Sequence, residues 1–194
     1  KKEAPVLSTL GLGGGNASRL VLSTGGDAVT SATAVATRSL RFNAGDQAYL
    51  NRTPSSAGNV DKWTWSGWIK RSALGAHTDF FSAVQNGQNA TIIQFDNNDR
   101  LDFENFVGNT EVGRKITTRL FRDVSAWYHI VCSYDSGNAT ADDRVKLYVN
   151  GVRETDFNYS TNPSSGQDSI VNSTNAHHIG SDTGFNNNYF NGML

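Results

Sequence analysis

Two carboxylates a strand step apart are the first residues whose spacing suggests chemistry. In Arg100-Leu101-Asp102-Phe103-Glu104 the acids are two positions apart, so an extended backbone puts both on one face. Retaining glycosidases need such a pair about 5–5.5 Å apart, one as acid and one as nucleophile. Here Arg100 stands where a third carboxylate would complete the run, and no aromatic-rich segment follows. The expectation is solvent-facing charges with local pairing, and no catalytic residue. A second group is the loop Asp135-Ser136-Gly137-Asn138-Ala139-Thr140-Ala141-Asp142-Asp143. Asp135, Asn138, Asp142 and Asp143 are candidate ligands there, and calcium, which takes about six to eight oxygens, is the metal that would suit them. Asp96-Asn97-Asn98-Asp99 is a second such turn. Neither matches EF-hand spacing, and Asp and Asn cap turns through their own backbone without any metal.

His177 and His178 are adjacent, so a strand sends them to opposite faces. His129 reads as a hydrogen-bonded structural histidine, and Cys132 as a small buried hydrophobe. Sugar binding needs an exposed aromatic ring to stack on, with polar groups beside it. Trp68, Tyr148 and the run Phe185-Asn186-Asn187-Asn188-Tyr189 offer these, with Phe185, Asn187 and Tyr189 as its candidates; Trp63 and Trp65 read as core.

The elements that must position these residues have period two. Leu40 and Phe42 alternate with Arg41 and Asn43; Trp63, Trp65, Gly67 and Ile69 alternate with Thr64, Ser66, Trp68 and Lys70. The same holds for Leu101 and Phe103, for Tyr128, Ile130, Cys132 and Tyr134, and for Val145, Leu147 and Val149. Such alternation marks strands with one face in a core. Asn43-Ala44-Gly45-Asp46, Asn86-Gly87, Ser136-Gly137-Asn138 and Asn150-Gly151 punctuate them as turns. Asn150-Gly151 supplies both positive-φ residues of a two-residue hairpin. No ten-residue stretch has a helical period, so the pattern predicts an all-β sandwich.

Composition agrees. The 194 residues are 37% hydrophobic and 18% charged, with 19 glycines and a net charge of −1. Both fractions fall below the usual globular range, and Asn, Ser, Thr and Gly make up the difference. A near-neutral chain is no polycation for nucleic acid. One cysteine excludes an intrachain disulfide, and no apolar run approaches membrane-spanning length, so neither nucleic acid nor membrane insertion is expected. Residues 1–37 contain Gly11-Leu12-Gly13-Gly14-Gly15 and an Ala/Thr/Ser/Val stretch, and have no aromatic residue. They read as an extended Gly/Ala/Ser-rich arm, too apolar-poor to fold alone, that docks on a neighbour.

Residues 38–194 resemble a known family. Ser39-Leu40-Arg41-Phe42-Asn43, Tyr49-Leu50-Asn51-Arg52-Thr53-Pro54 and Trp63-Thr64-Trp65-Ser66-Gly67-Trp68-Ile69-Lys70 are similar to the opening of a laminin-G-like domain. Trp127-Tyr128-His129-Ile130-Val131, Lys146-Leu147-Tyr148-Val149-Asn150-Gly151, His178-Ile179-Gly180 and Tyr189-Phe190-Asn191-Gly192 resemble its later sections. The resemblance implies a concanavalin A-like, antiparallel two-sheet jelly-roll sandwich. Its variant is most similar to domains of tailed-bacteriophage tail and tail-fibre proteins. It therefore implies a non-enzymatic structural protein of the virion, assembled in the host bacterial cytoplasm among other virion proteins and self-associating as a homo-oligomer. A capsid-decorating or head-fibre protein, or an adhesion module for host surface glycans, is the alternative. The family continues past Phe-Asn-Gly into a last strand; here Met193-Leu194 follow, so the expectation is a sandwich lacking that strand, its open edge covered by a partner chain or further sequence.

Overall fold

Alternating apolar residues form antiparallel strands wherever one face can be buried, and they do so throughout the described residues. The computed structural model describes residues 38–194; the arm expected over residues 1–37 lies outside them. The strands are β1 (Arg41–Phe42), β2 (Leu50–Arg52), β3 (Lys62–Arg71), β4 (Thr78–Asn86), β5 (Asn89–Phe95), β6 (Arg100–Val107) and β7 (Thr110–Leu120). They continue as β8 (Tyr128–Asp135), β9 (Val145–Val149), β10 (Val152–Arg153), β11 (Phe157–Thr161), β12 (Ala176–Ile179) and β13 (Gly192–Met193). Two sheets result. One has six strands in the order β1-β13-β3-β8-β9-β10, the other seven in the order β11-β7-β6-β5-β4-β12-β2.

The core lies between them. Trp63, Ile69, Ile130, Cys132, Tyr134, Leu147 and Val149 enter it from the six-stranded sheet, and Phe80, Ile93, Phe95, Leu101 and Phe103 from the other. Aromatic rings pack within and between the layers: Trp63 stacks on its cross-strand neighbour Tyr134 at 5.4 Å, both meet Phe103 of the other sheet, and Phe80 meets Trp65 across the layers as well as Phe95 and Phe190. Cys132 is fully buried as expected, and burial pushes its thiol pKa up. Trp65 is only half-buried. At the hairpin, Asn150 and Gly151 have φ of 51° and 82°, as a type I′ turn requires, and join β9 to β10 in register.

β13 is two residues long. Gly192 and Met193 insert between β1 and β3, opposite Phe42 and Arg41 on one side and Arg71 and Lys70 on the other. Backbone packing is tight there: a Cβ on Gly192 would sit 2.2 Å from the Lys70 carbonyl oxygen.

Phe80 is fully buried against three rings, so Phe80→Ala should cost about 3–5 kcal/mol by transfer and cavity terms. Val152→Ala, at a side chain 63% exposed, should stay within about 0.5 kcal/mol. Denaturant unfolding of the two variants measures both.

Candidate functional site

The outer face of the six-stranded sheet carries the aromatic site. β3 alternation sends Trp68 outward, and register places it opposite His129 on β8. The two rings are 5.0 Å apart. Ser66, two residues before Trp68 on the same face, lies 2.9 Å from His129 Nε2. Asn150 at the β9–β10 turn exchanges two bonds with His129: the His129 N–H donates to Asn150 Oδ1 at 2.9 Å, and the Asn150 N–H donates to the His129 carbonyl at 2.8 Å. Trp127, just before β8, completes a shallow open depression of about 460 Å³ lined by Trp68, Trp127, His129, Asn150 and Gly151. Trp68 is 55% and Trp127 38% exposed. Large rings left in water beside a fixed amide and imidazole can stack on a sugar ring and hydrogen-bond its hydroxyls.

The residues expected to bind sugar do not converge. Tyr148 shares the outer face with Trp68, in the row Ser66–Val131–Tyr148. Phe185, Asn187 and Tyr189 lie in the loop before β13. Phe185 closes on Val84, Ala90 and Ile92, with the Phe106 ring 5.4 Å away. Asn187, at φ 60°, accepts the Gly184 N–H, and Tyr189 packs 6.3 Å from Tyr49. Trp127, His129 and Asn150 were not expected at the site. The cross-strand register that joins them to Trp68 has no local signal.

The oxygens of the expected metal loop are engaged singly. Asp135 pairs with Lys62 at 2.8 Å and Asp143 with Arg153 at 2.6 Å. Asp142 accepts from Asn162, and Asn138 caps the Thr140 N–H. In the second turn Asp96 holds Arg100, while Asp99 receives Arg71, Arg122 and the Gly75 N–H. Among the described residues no three His, Cys, Asp or Glu side chains converge as metal ligands. His177 and His178 diverge as expected. His177 Nδ1 faces the Asn175 carbonyl while Nε2 accepts the Asn172 N–H, and His178 Nδ1 lies 3.3 Å from Ser82 Oγ.

A family model for the concanavalin A-like lectin/glucanases superfamily, of laminin G type, matches residues 42–194. The chain belongs to this superfamily. Among solved structures it is similar to domains LG4-5 of the mouse laminin alpha1 chain, with a TM-score of 0.59 at 13% identity over 81% of this chain and 40% of that one. The heptameric SAP-like pentraxin of Limulus polyphemus gives 0.53 at 16% identity, covering 75% and 66% of the two chains. The sialidase module CBM40 of Ruminococcus gnavus, bound to alpha2,3 sialyllactose, gives 0.53 at 13% identity, covering 76% and 88%. This chain thus spans two fifths of the laminin chain and about two thirds of the pentraxin. No curated protein matches it.

In this member of the superfamily the outer face of the seven-stranded sheet holds a buried polar layer, which corrects the expectation for Asp102 and Glu104. They are 0% and 5% exposed, not solvent-facing. Arg114 on β7 bridges them, with Asp102 Oδ2 at 2.6 Å from Nη2. Burial, then the Asp102 charge, push the Glu104 carboxyl up to about 9. Glu104 therefore keeps its proton at neutral pH and donates it to Asp102. Carboxyls this enclosed leave no face for a sugar ring.

A second carboxyl pair was not expected at all. Asp79 on β4 is fully buried, and no donor reaches either of its oxygens. Burial, then the neighbouring Asp182, hold its carboxyl well above the usual range and so favour its protonated form. Asp182 in turn accepts the N–H groups of Asn186 and Asn188, at 3.0 and 2.6 Å, and so pins the loop across the sheet.

An acid whose pKa rises on folding takes up a proton as it folds. Its contribution is full below the unfolded value, near 4.5 for Glu104, and is lost as pH climbs toward about 9. Asp79 acts in the same direction. Melting temperature should fall from pH 5 to pH 9, and Glu104→Gln, which cannot ionise, should flatten that fall. Thermal melts of both proteins at matched ionic strength are the check.

Proposed function

We propose that the chain is a non-enzymatic carbohydrate-binding sandwich of a tailed-bacteriophage virion, a tail or tail-fibre component that meets host surface glycan through the Trp68 depression. One observation carries the binding reading: Trp68 and Trp127 stay exposed around a depression whose polar lining is fixed by mutual His129–Asn150 bonds. The superfamily frame is consistent with it, since a Ruminococcus gnavus module of the same fold binds sialyllactose. The virion reading rests on the sequence resemblance, above all Leu50-Asn51-Arg52-Thr53-Pro54-Ser55-Ser56-Ala57-Gly58 and Trp63-Thr64-Trp65-Ser66-Gly67-Trp68-Ile69-Lys70-Arg71. The non-enzymatic reading rests on the enclosure of Asp102 and Glu104.

A glycan array probed with the whole chain should show binding at millimolar ligand or better. Trp68→Ala should weaken it about tenfold or more, equal to about 1.4 kcal/mol, with an unchanged melting temperature. Binding untouched by Trp68→Ala and Trp127→Ala would refute the site, and an array blank at millimolar ligand would refute glycan binding. Mass spectrometry of gradient-purified virions should find the chain among their structural proteins, and its absence there would refute the virion role.

A further inference from the structure

Donors and acceptors around the Trp68 depression are unequal. Its lining has one side-chain oxygen, Asn150 Oδ1, and that atom is spent on the His129 N–H at 2.9 Å. The same bond fixes the amide: an N–H partner demands the oxygen, so Nδ2 and its two hydrogens turn the other way. Nδ2 meets no acceptor among the described residues. His129 Nε2 is occupied with Ser66 Oγ at 2.9 Å. The indole N–H groups of Trp68 and Trp127 also lack an acceptor among the described residues, whereas buried Trp63 donates to Ser169 Oγ at 2.7 Å. The lining thus offers N–H donors and keeps its oxygen for itself. A sugar hydroxyl both donates and accepts; an oxyanion only accepts.

Charge on this face has the same sense. Lys62, Lys70, Lys146 and Arg153 point outward from β3, β9 and β10, and Asp135 of β8 is the acid among them. Lys62 pairs with Asp135 and Arg153 with Asp143, while Lys70 and Lys146 make no ion pair among the described residues. Lys70 follows Trp68 by two residues on the same face, about 7 Å along the strand. The β3–β8 register, continued one step past Ile69 and Tyr128, sets it against Trp127. Met193 flanks it on the other side, so both strand neighbours of Lys70 are described. Asp123, whose charge reaches Lys70, accepts the Ser125 N–H and hydroxyl through Oδ1. An ammonium on a four-carbon stem can extend over the indole beside it. Asp79, Asp102, Glu104 and Asp182 are enclosed on the opposite sheet and do not offset this field.

We propose that the depression selects an acidic sugar, whose ring lies on the exposed indoles while its oxyanion accepts from Asn150 Nδ2 within the field of Lys70. The shared chemistry is a carboxylate, sulfate or phosphate oxygen, which an N–H donor and an ammonium hold more strongly than a neutral hydroxyl. This inference rests on the sugar reading above and adds the charge of the sugar to it.

The probe is an array on which each acidic glycan is printed beside the same glycan carboxyl-reduced, desulfated or dephosphorylated, read with the whole chain. The acidic member of a pair should bind about tenfold or more tightly, and the pairs that respond show which oxyanion it is. The preference should shrink between about 0.1 M and about 1 M salt, where the screening length falls from about 10 to about 3 Å. Asn150→Asp keeps an acceptor for the His129 N–H and an Asp-Gly turn, but replaces the Nδ2 donor with a charged oxygen. It should cost the acidic members about tenfold or more and the neutral ones little. Lys70→Gln, on an exposed face away from the turn, should lower the preference and its salt dependence together, and decides alone if Asn150→Asp lowers the melting temperature. Equal binding across the pairs, lost with Trp68→Ala, would overturn the acidic sugar and leave the sugar reading standing. An acidic preference that neither variant changes would place the oxyanion elsewhere and overturn it too. An array blank at every spot removes the sugar reading, and this inference with it.

Discussion

The two-residue alternation of β3 is the constraint on which the rest depends. It sends Trp63, Trp65 and Ile69 into the core and Ser66, Trp68 and Lys70 out, so one strand builds the hydrophobic layer and the aromatic depression together. A one-residue slip would exchange the two sets. Gly67 helps lock the register. A Cβ there would lie 2.8 Å from Cη2 of Trp65, so only glycine lets that ring lie back along its own strand toward Phe80 and Phe81. The edges of β3 are tied at both ends, to β8 from Lys62 to Ile69 and to β13 at Lys70 and Arg71.

The two sheets use their outer faces differently. On the six-stranded sheet the outer face is wet, and its ion pairs, such as Lys62–Asp135, are exposed enough to add little stability. On the seven-stranded sheet Asp102, Glu104, Asp79 and Asp182 are enclosed. Removing four carboxyls from water is unfavourable unless protons and hydrogen bonds compensate, and here Arg114, the proton kept by Glu104, the raised pKa of Asp79 and two loop amides do so. The gain is geometric: Asp182 and Phe185 fasten the loop before β13 over the sheet and so aim Gly192 and Met193 into the lane beside β3.

Much of the fold was legible because strand signals are local. The Trp63–Ile69, Tyr128–Tyr134 and Val145–Val149 alternations gave the right inward faces, and Asn150-Gly151 made the hairpin it spells. The site was legible only in part. Trp68 could be picked out as an outward aromatic, but its partner His129 is set by the β3–β8 register. Asp102 and Glu104 looked solvated because Arg114, which bridges them, sits on the next strand and meets them only through the β6–β7 pairing. Asp79 gave no signal, since its partner Asp182 meets it only through packing of β4 against the Asp182–Tyr189 loop. Phe185 and Tyr189 looked like ligand-stacking rings and instead cover the protein itself.

The central claim is that sugar meets this chain at Trp68 and Trp127. The chain has four tryptophans, so their indole N–H resonances report on the claim one ring at a time. Trp63 donates its indole N–H to Ser169 inside the fold, and Trp65 lies between the sheets, so both act as internal controls. On titration with a glycan that the chain binds, the Trp68 and Trp127 signals should shift in step with saturation while those of Trp63 and Trp65 stay in place. Shifts confined to the Asp182–Tyr189 backbone, with all four indoles unmoved, would contradict the account.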